Sequence, residues 1–291
     1  MTTWPYTVDT FTTKVDGETV QASHVNAPQS SITAIETEEA RTYRPDLKPA
    51  APSAYDDEFE TLLLDPKWTA INCASGTVDL LSVAAAADTY DAATYQGMMA
   101  LQPGRDAAGA AGEEAESAML RQTISLAANC KIIAKINSAW TVDAAEQSGY
   151  ELGLILSGVA GFNDANYVKM YVIPLYGPGG GAFGYTLEGE ISVAGAGTGL
   201  TIQGVAPNPV YLMIMKTGND YSIWVGDGHT WGAGVDGSAP DVVRVANANA
   251  LTRLSLYTYF APAGGEVNLP NPISTFDFVR YFTNNTPLVN A

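Results

Sequence analysis

The chain has 291 residues, with 31 acidic against 14 basic side chains, a net charge of −17, and a hydrophobic share of 46%. That share excludes wholesale disorder, and the acidity sets the chain against phosphate backbones and anionic membranes, so nucleic acid is not an expected partner. No run of eighteen apolar residues occurs, so no membrane insertion is expected.

The first 44 residues are polar. They lack a basic start followed by an apolar run, so no secretory signal is expected and folding in the cytoplasm is. Within them Pro28 suits a first helical position, and Val25, Ile32 and Ile35 share one face. The stripe covers about two turns, too little to hold a lone helix in water. The helix therefore needs a partner, and an extended arm with one short docking helix is expected. Residues 45–54 read as a linker stiffened by Pro45, Pro49 and Pro52.

From Tyr55 onward the chain reads as short strands. In "KIIAKINS", Ile132, Ala134 and Ile136 face one way, and Lys131 and Lys135 the other. In "NYVKMYVIP", Val168, Met170 and Val172 alternate with Tyr167, Lys169 and Tyr171, and in "VYLMIMK" Leu212 and Ile214 oppose Tyr211, Met213 and Met215. Further strands are expected at 68–73, 77–83, 97–102, 117–126, 150–157, 183–187, 221–226, 251–260 and 275–283. Between 210–216 and 221–226 a hairpin is expected to turn at Thr217-Gly218-Asn219-Asp220, with Trp224 on the face opposite Ile223 and Val225. Period-two alternation with no long helix predicts an all-β, two-sheet antiparallel sandwich. The tracts 84–95, 103–116 and 177–184 suit loops; "GPGGG" lacks the Lys-Ser/Thr pair of a phosphate loop. Cys73 and Cys130 lie in apolar strand contexts and are expected as reduced thiols.

Several motifs carry a resemblance. "KTGN" (216–219), an aromatic strand and "DGHTW" (227–231) follow one another; "YDDEFETLLLDPKWTAIN" (55–72) opens the domain and "TFDFVRYF" (275–282) closes it. In this order they resemble concanavalin A-like lectin/glucanase jelly rolls over roughly residues 55–283. The resemblance implies that the first and last strands lie side by side, and that a structural calcium ion could be held by Asp56, Asp57 and Asp277. The rival reading of Asp277 is a backbone bond or a pair with Arg280. A second resemblance lies in "FTTKVDGETVQASHVNAPQSSITAIETE" (11–38), which is similar to the N-terminal segment of many tailed-phage structural proteins. The matching residues are Asp16, Gly17, Val20, Ala22, Ser23, His24, Val25, Asn26, Ile32, Ala34, Ile35 and Glu36, with Pro28 a departure. It implies an arm docked through Val20, His24, Val25, Asn26, Ile32 and Ile35 onto other virion proteins of head or tail, and a location in the virion. The expected organisation is thus an arm (1–44), a linker (45–54) and a lectin-like body (55–291), assembled as a small homo-oligomer, a trimer above others.

Catalytic signals are sparse. Glucanases of the resembled fold carry their acids as E-x-D-x-x-E, and no such string occurs. Glu188 and Glu190 share one face and are expected as solvent-facing edge acids. Of the two histidines, His24 belongs to the arm and His229 to a turn, with no G-x-S-x-G nucleophile elbow and no clustered metal spacing. A non-enzymatic role is expected, with no cofactor required. Tyr176, Tyr185 and Trp231, near loops, are the rings expected to stack on a host-surface sugar; Tyr257, Tyr259 and Phe260 could form a subunit interface. The expected function is a virion structural protein that decorates the particle or attaches to a host glycan. The alternatives are a polysaccharide-active glycoside hydrolase or carbohydrate-binding module, and an architectural cement protein.

Overall fold

The computed structural model describes residues 53–75, 89–91, 97–102, 117–138, 150–158, 164–175, 184–204, 210–226, 242–260 and 274–283. The arm and the linker up to residue 52, and with them Val20, His24, Val25, Asn26, Ile32 and Ile35, lie outside the described residues, as do the expected strand at 77–83, Tyr176, His229 and Trp231. The described residues form fifteen strands and no helix.

Two sheets result. One has seven strands in the order β1 (Thr69–Ile71), β5 (Ser117–Thr123), β14 (Arg253–Phe260), β7 (Tyr150–Ser157), β8 (Tyr167–Leu175), β9 (Gly184–Val193) and β10 (Ala196–Gly204). The other has eight, in the order β13 (Val242–Ala246), β12 (Asp220–Gly226), β11 (Val210–Thr217), β6 (Asn129–Ser138), β15 (Ser274–Phe282), β4 (Met99–Gln102), β3 (Thr89–Asp91) and β2 (Ala74–Ser75). Neighbours are antiparallel except β2 and β3, which pair in parallel. The sheets pack face to face as a sandwich.

Alternation decides which side chains enter the core. Leu152, Leu154 and Leu156 of β7 and Val168, Met170 and Val172 of β8 meet Ile132, Ala134 and Ile136 of β6 and Leu212 and Ile214 of β11 in one buried cluster. Their opposites in the second sheet, Ile133, Tyr211, Met213 and Phe278, form a separate cluster on its outer side, and Trp224 packs there, as the period-two reading requires. The hairpin between β11 and β12 turns where expected: Thr217 pairs with Asp220, and Gly218 and Asn219 are the two central residues of the turn. Gly218 takes φ 60° there, a conformation that suits glycine.

Four strands escape the sequence pattern: β2, two residues long, lies past the expected strand 68–73; β3 falls in the tract 84–95 expected as a loop; β10 and β13 are the other two. β10 is built on "AGTGLTIQG", whose glycines leave no alternation to read, and β13 is five residues long. The presence of β10 corrects the reading of Glu188 and Glu190 as edge acids, because β9 is flanked by β8 on one side and β10 on the other.

The first and last segments do run side by side. Asp57 and Val279 form an antiparallel bridge, with both backbone N–H groups donating across it. Tyr55 sets its ring edge-on against Tyr281, centroids 5.2 Å apart. Cys73 and Cys130 form no disulfide. Burial pushes the Cys130 thiol up from its ordinary pKa, so this buried sulfur stays protonated and unreactive.

Candidate functional site: the outer face of the seven-stranded sheet

The face of the seven-stranded sheet turned away from the core carries an aromatic and ionic arrangement. Cross-strand register sets Tyr257, Gly153, Tyr171, Glu188 and Thr201 in one row across β14, β7, β8, β9 and β10. The neighbouring row is Ser255, Ile155, Lys169, Glu190 and Gly199. Residues on one row share a face, so tyrosines, a lysine and acids are brought together by register alone.

Lys169 is the centre. Its Nζ stands 4.4 Å from the centroid of Tyr171 and 5.6 Å from that of Tyr257. It also donates to Glu151 Oε2 at 2.8 Å, with side-chain exposures of 7% and 15% for lysine and glutamate. The Tyr257 hydroxyl donates to the same oxygen at 3.1 Å. The ammonium is thus held between two ring faces and a carboxylate, a geometry in which each contact strengthens as water is excluded. Across the sheet the Tyr171 hydroxyl donates to Glu188 Oε2 at 2.5 Å, which fixes the tilt of that ring.

The face has a closed half and an open half. Met119, Ile155 and Tyr257 are buried, whereas Tyr167, Tyr171, Glu188 and Glu190 are partly exposed and Gly197, Gly199 and Thr201 are exposed. Gly197 matters through what it lacks, because a Cβ there would fall on Glu190 Oε1. The outermost strand is therefore a ledge nearly bare of side chains, with the Glu190 carboxylate leaning over it. Among the described residues no donor is bonded to Glu190. The open half offers a ring face, a tethered phenol, two carboxylates and a shelf.

None of the three rings expected from sequence has a described side chain. Tyr176 and Trp231 lie outside the described residues, and Tyr185 is described only in its backbone, on β9 opposite Pro174 and Gly204. The site's own residues were on view in "NYVKMYVIP" as the face opposite Val168, Met170 and Val172. Their signal was two tyrosines flanking a lysine at period two, on a strand whose other face is wholly apolar.

The three calcium candidates are engaged by protein groups. Asp56 accepts from the backbone N–H of Tyr281 at 2.7 Å and of Ser53 at 2.8 Å; burial, the largest influence, raises its pKa above the ordinary carboxylate value. Asp57 accepts from the Phe59 N–H at 2.8 Å and from Trp68 Nε1 at 2.7 Å, and pairs with Lys67 at 3.2 Å. Asp277 sits at the bulge between Phe276 and Phe278 and pairs with Lys135 at 2.5 Å, while Arg280 grips Glu58 through two bonds of 2.8 Å. Among the described residues no three His, Cys, Asp or Glu side chains are grouped to hold a metal. A cation would have to displace these donors, so chelation of divalent ions is expected to leave the melting temperature unchanged. A fall of several degrees with chelator, reversed by calcium, would return the ion to these acids.

No protein-family model matches the chain, and no curated protein does. Solved structures do. A bifunctional GH43-CE protein of Bacteroides eggerthii is similar over 82% of this chain and 27% of its own, at 13% identity and a TM-score of 0.50. A xyloglucan-locus GH43B of Bacteroides ovatus matches over 81% of this chain and 40% of its own, at 13% identity and a TM-score of 0.48. An endo-1,3-β-glucanase of Streptomyces sioyaensis matches over 81% and 98%, at 14% identity and a TM-score of 0.49. This chain thus spans well under half the length of the two GH43 proteins. At such identity the likeness concerns fold alone. The described body is an all-β jelly-roll sandwich of two packed sheets.

Proposed function

We propose that this chain is a non-catalytic saccharide-binding module, and that the open half of the seven-stranded sheet's outer face is its binding surface. The observation that carries this reading is the Tyr171 ring, fixed by its bond to Glu188 beside the bare ledge of Gly197 and Gly199. A pyranose presents an apolar C–H face and a rim of hydroxyls. A fixed ring receives the first, and carboxylates accept the hydroxyl protons in charge-assisted bonds. Hydrolysis would require a carboxyl that starts protonated and a second one placed across the scissile bond. Glu151 instead accepts from both Lys169 and Tyr257, and the glucanase acid string is missing from the sequence. The arm's resemblance to phage proteins supports a setting for this surface: display on a particle, facing host-cell glycans.

Calorimetric titration with a panel of neutral oligosaccharides tests the reading. Tyr171→Ala is expected to weaken binding about tenfold, the scale of a lost ring contact together with the bond it positions, while Tyr171→Phe keeps most of the affinity. Unchanged affinity in Tyr171→Ala, or no binding by any member of the panel, sinks the proposal. Glycan turnover abolished in Glu188→Gln would make the chain an enzyme instead.

A further inference from the structure

Charge is unevenly spread along one row of the seven-stranded sheet's outer face. Register places Arg121, Ser255, Ile155, Lys169, Glu190 and Gly199 across it, from β5 to β10. Neither cation of the row is committed to the acid. Arg121 Nε donates to Ser255 Oγ at 3.1 Å. Lys169 stands directly across from Glu190, where an ion pair is the ordinary outcome. Its ammonium goes instead to Glu151 Oε2 at 2.8 Å and to the ring faces of Tyr171 and Tyr257. The lysine charge is thus balanced on β7, and among the described residues nothing donates to Glu190.

The glycine ledge makes room for that carboxylate. Glu190 Oε1 lies 1.6 Å from where a Cβ of Gly197 would stand, so a larger residue there would push it aside. Glu188, two residues along the same strand, turns its carboxylate to the same face and accepts from the Tyr171 hydroxyl. A phenol gives a proton to share but no charge. β7, β9 and β10 contain no lysine or arginine. The open half therefore carries two carboxylates, and the lysine beside them is already paired with Glu151.

We infer that Glu190 is the specificity-determining residue of this surface, and that its preferred ligands are saccharides bearing a protonated amine, such as hexosamine units without an N-acetyl group. The inference rests on the reading of this face as a saccharide surface and adds the charge of the sugar. An ammonium supplies the charged donor that Lys169 withholds from Glu190, in a bond stronger than one from a hydroxyl. Glu188 stands about 6.6 Å away along the strand, two residues' rise, and favours the same cation. A neutral sugar still stacks on Tyr171 and donates hydroxyl protons. A uronate meets two like charges on a chain of net charge −17.

Calorimetric titration of the full chain with tetrasaccharides of one backbone tests this: a neutral one, one with a single glucosamine unit, one with that unit N-acetylated, and one with a single uronate. The amine is expected to bind about tenfold more tightly than the neutral and N-acetylated ligands, and the uronate more weakly than either. High salt is expected to shrink the preference, because Glu190 is partly exposed. Glu190→Gln is expected to bring amine and neutral ligand within about twofold of each other, since glutamine accepts protons without charge. Glu60→Gln, which alters an exposed acid of the segment before β1 and changes the net charge equally, is expected to keep the gap. Equal affinity of the wild type for amine and neutral ligands overturns the inference and leaves the saccharide surface standing. A preference that survives in Glu190→Gln also overturns it, as does one lost equally in Glu60→Gln, which would assign it to overall charge. Binding of none of the four ligands overturns both readings.

Discussion

Gly153→Ala is expected to destabilise the sandwich by about 3 kcal/mol, the upper range for forcing a group into packed structure. An ideal Cβ at Gly153 would fall on the Met170 carbonyl oxygen and stand 2.7 Å from Tyr171 Cα. Both are backbone atoms of β8, so no rotamer change can relieve them. The β7–β8 ladder, which pairs Leu152 through Ser157 with Val172 through Tyr167, must open or slide. At roughly 2–4 °C per kcal/mol for a body of this size, thermal melting should fall by about 6–12 °C. Because Tyr171 is the cross-strand partner of Gly153, saccharide binding should fall with stability. A variant that melts like the wild type would show that the two strands are less closely appressed than described.

Lys169→Ala should be nearly as costly, at about 3 kcal/mol. It leaves the Glu151 carboxylate, only 15% exposed, without its ammonium, and removes the stem and charge between the rings of Tyr171 and Tyr257. Breaking one side of a shielded pair costs far more than replacing both sides. Lys169→Met with Glu151→Gln should therefore recover most of the lost stability, since methionine fills the gap and glutamine still accepts from Tyr257. Chemical denaturation of the two single variants and the double variant gives the coupling energy directly. Additive losses would mean that the pair adds nothing beyond its separate side chains.

Much of the architecture was legible in sequence because it rests on period two. In β6, β8 and β11 one face is apolar at every second position, and burial against the other sheet leaves one register. The adjacency of the opening and closing segments followed from resemblance, and the Asp57–Val279 bridge agrees with it. β10 was not legible, because Gly197 and Gly199 erase the outer half of its pattern. That loss turned Glu188 and Glu190 into apparent edge residues. The site was harder for a different reason. Tyr171, Gly153 and Tyr257 are far apart along the chain and become neighbours only when β7 lies between β8 and β14. No local motif records that order. Tyr176, Tyr185 and Trp231, the rings expected near loops, have no described side chain, and the tyrosines that the structure gathers stand in mid-strand.

The central claim is that β8, β9 and β10 present one binding surface for sugar. The most direct measurement is amide chemical-shift mapping of the isotopically labelled full chain titrated with a binding oligosaccharide. The account predicts saturable shifts at Tyr167 to Tyr171, Glu188 to Glu190 and Gly197 to Thr201, with the outer face of the eight-stranded sheet unmoved. Shifts centred on Tyr211, Met213 and Trp224, with β8 to β10 silent, would contradict it.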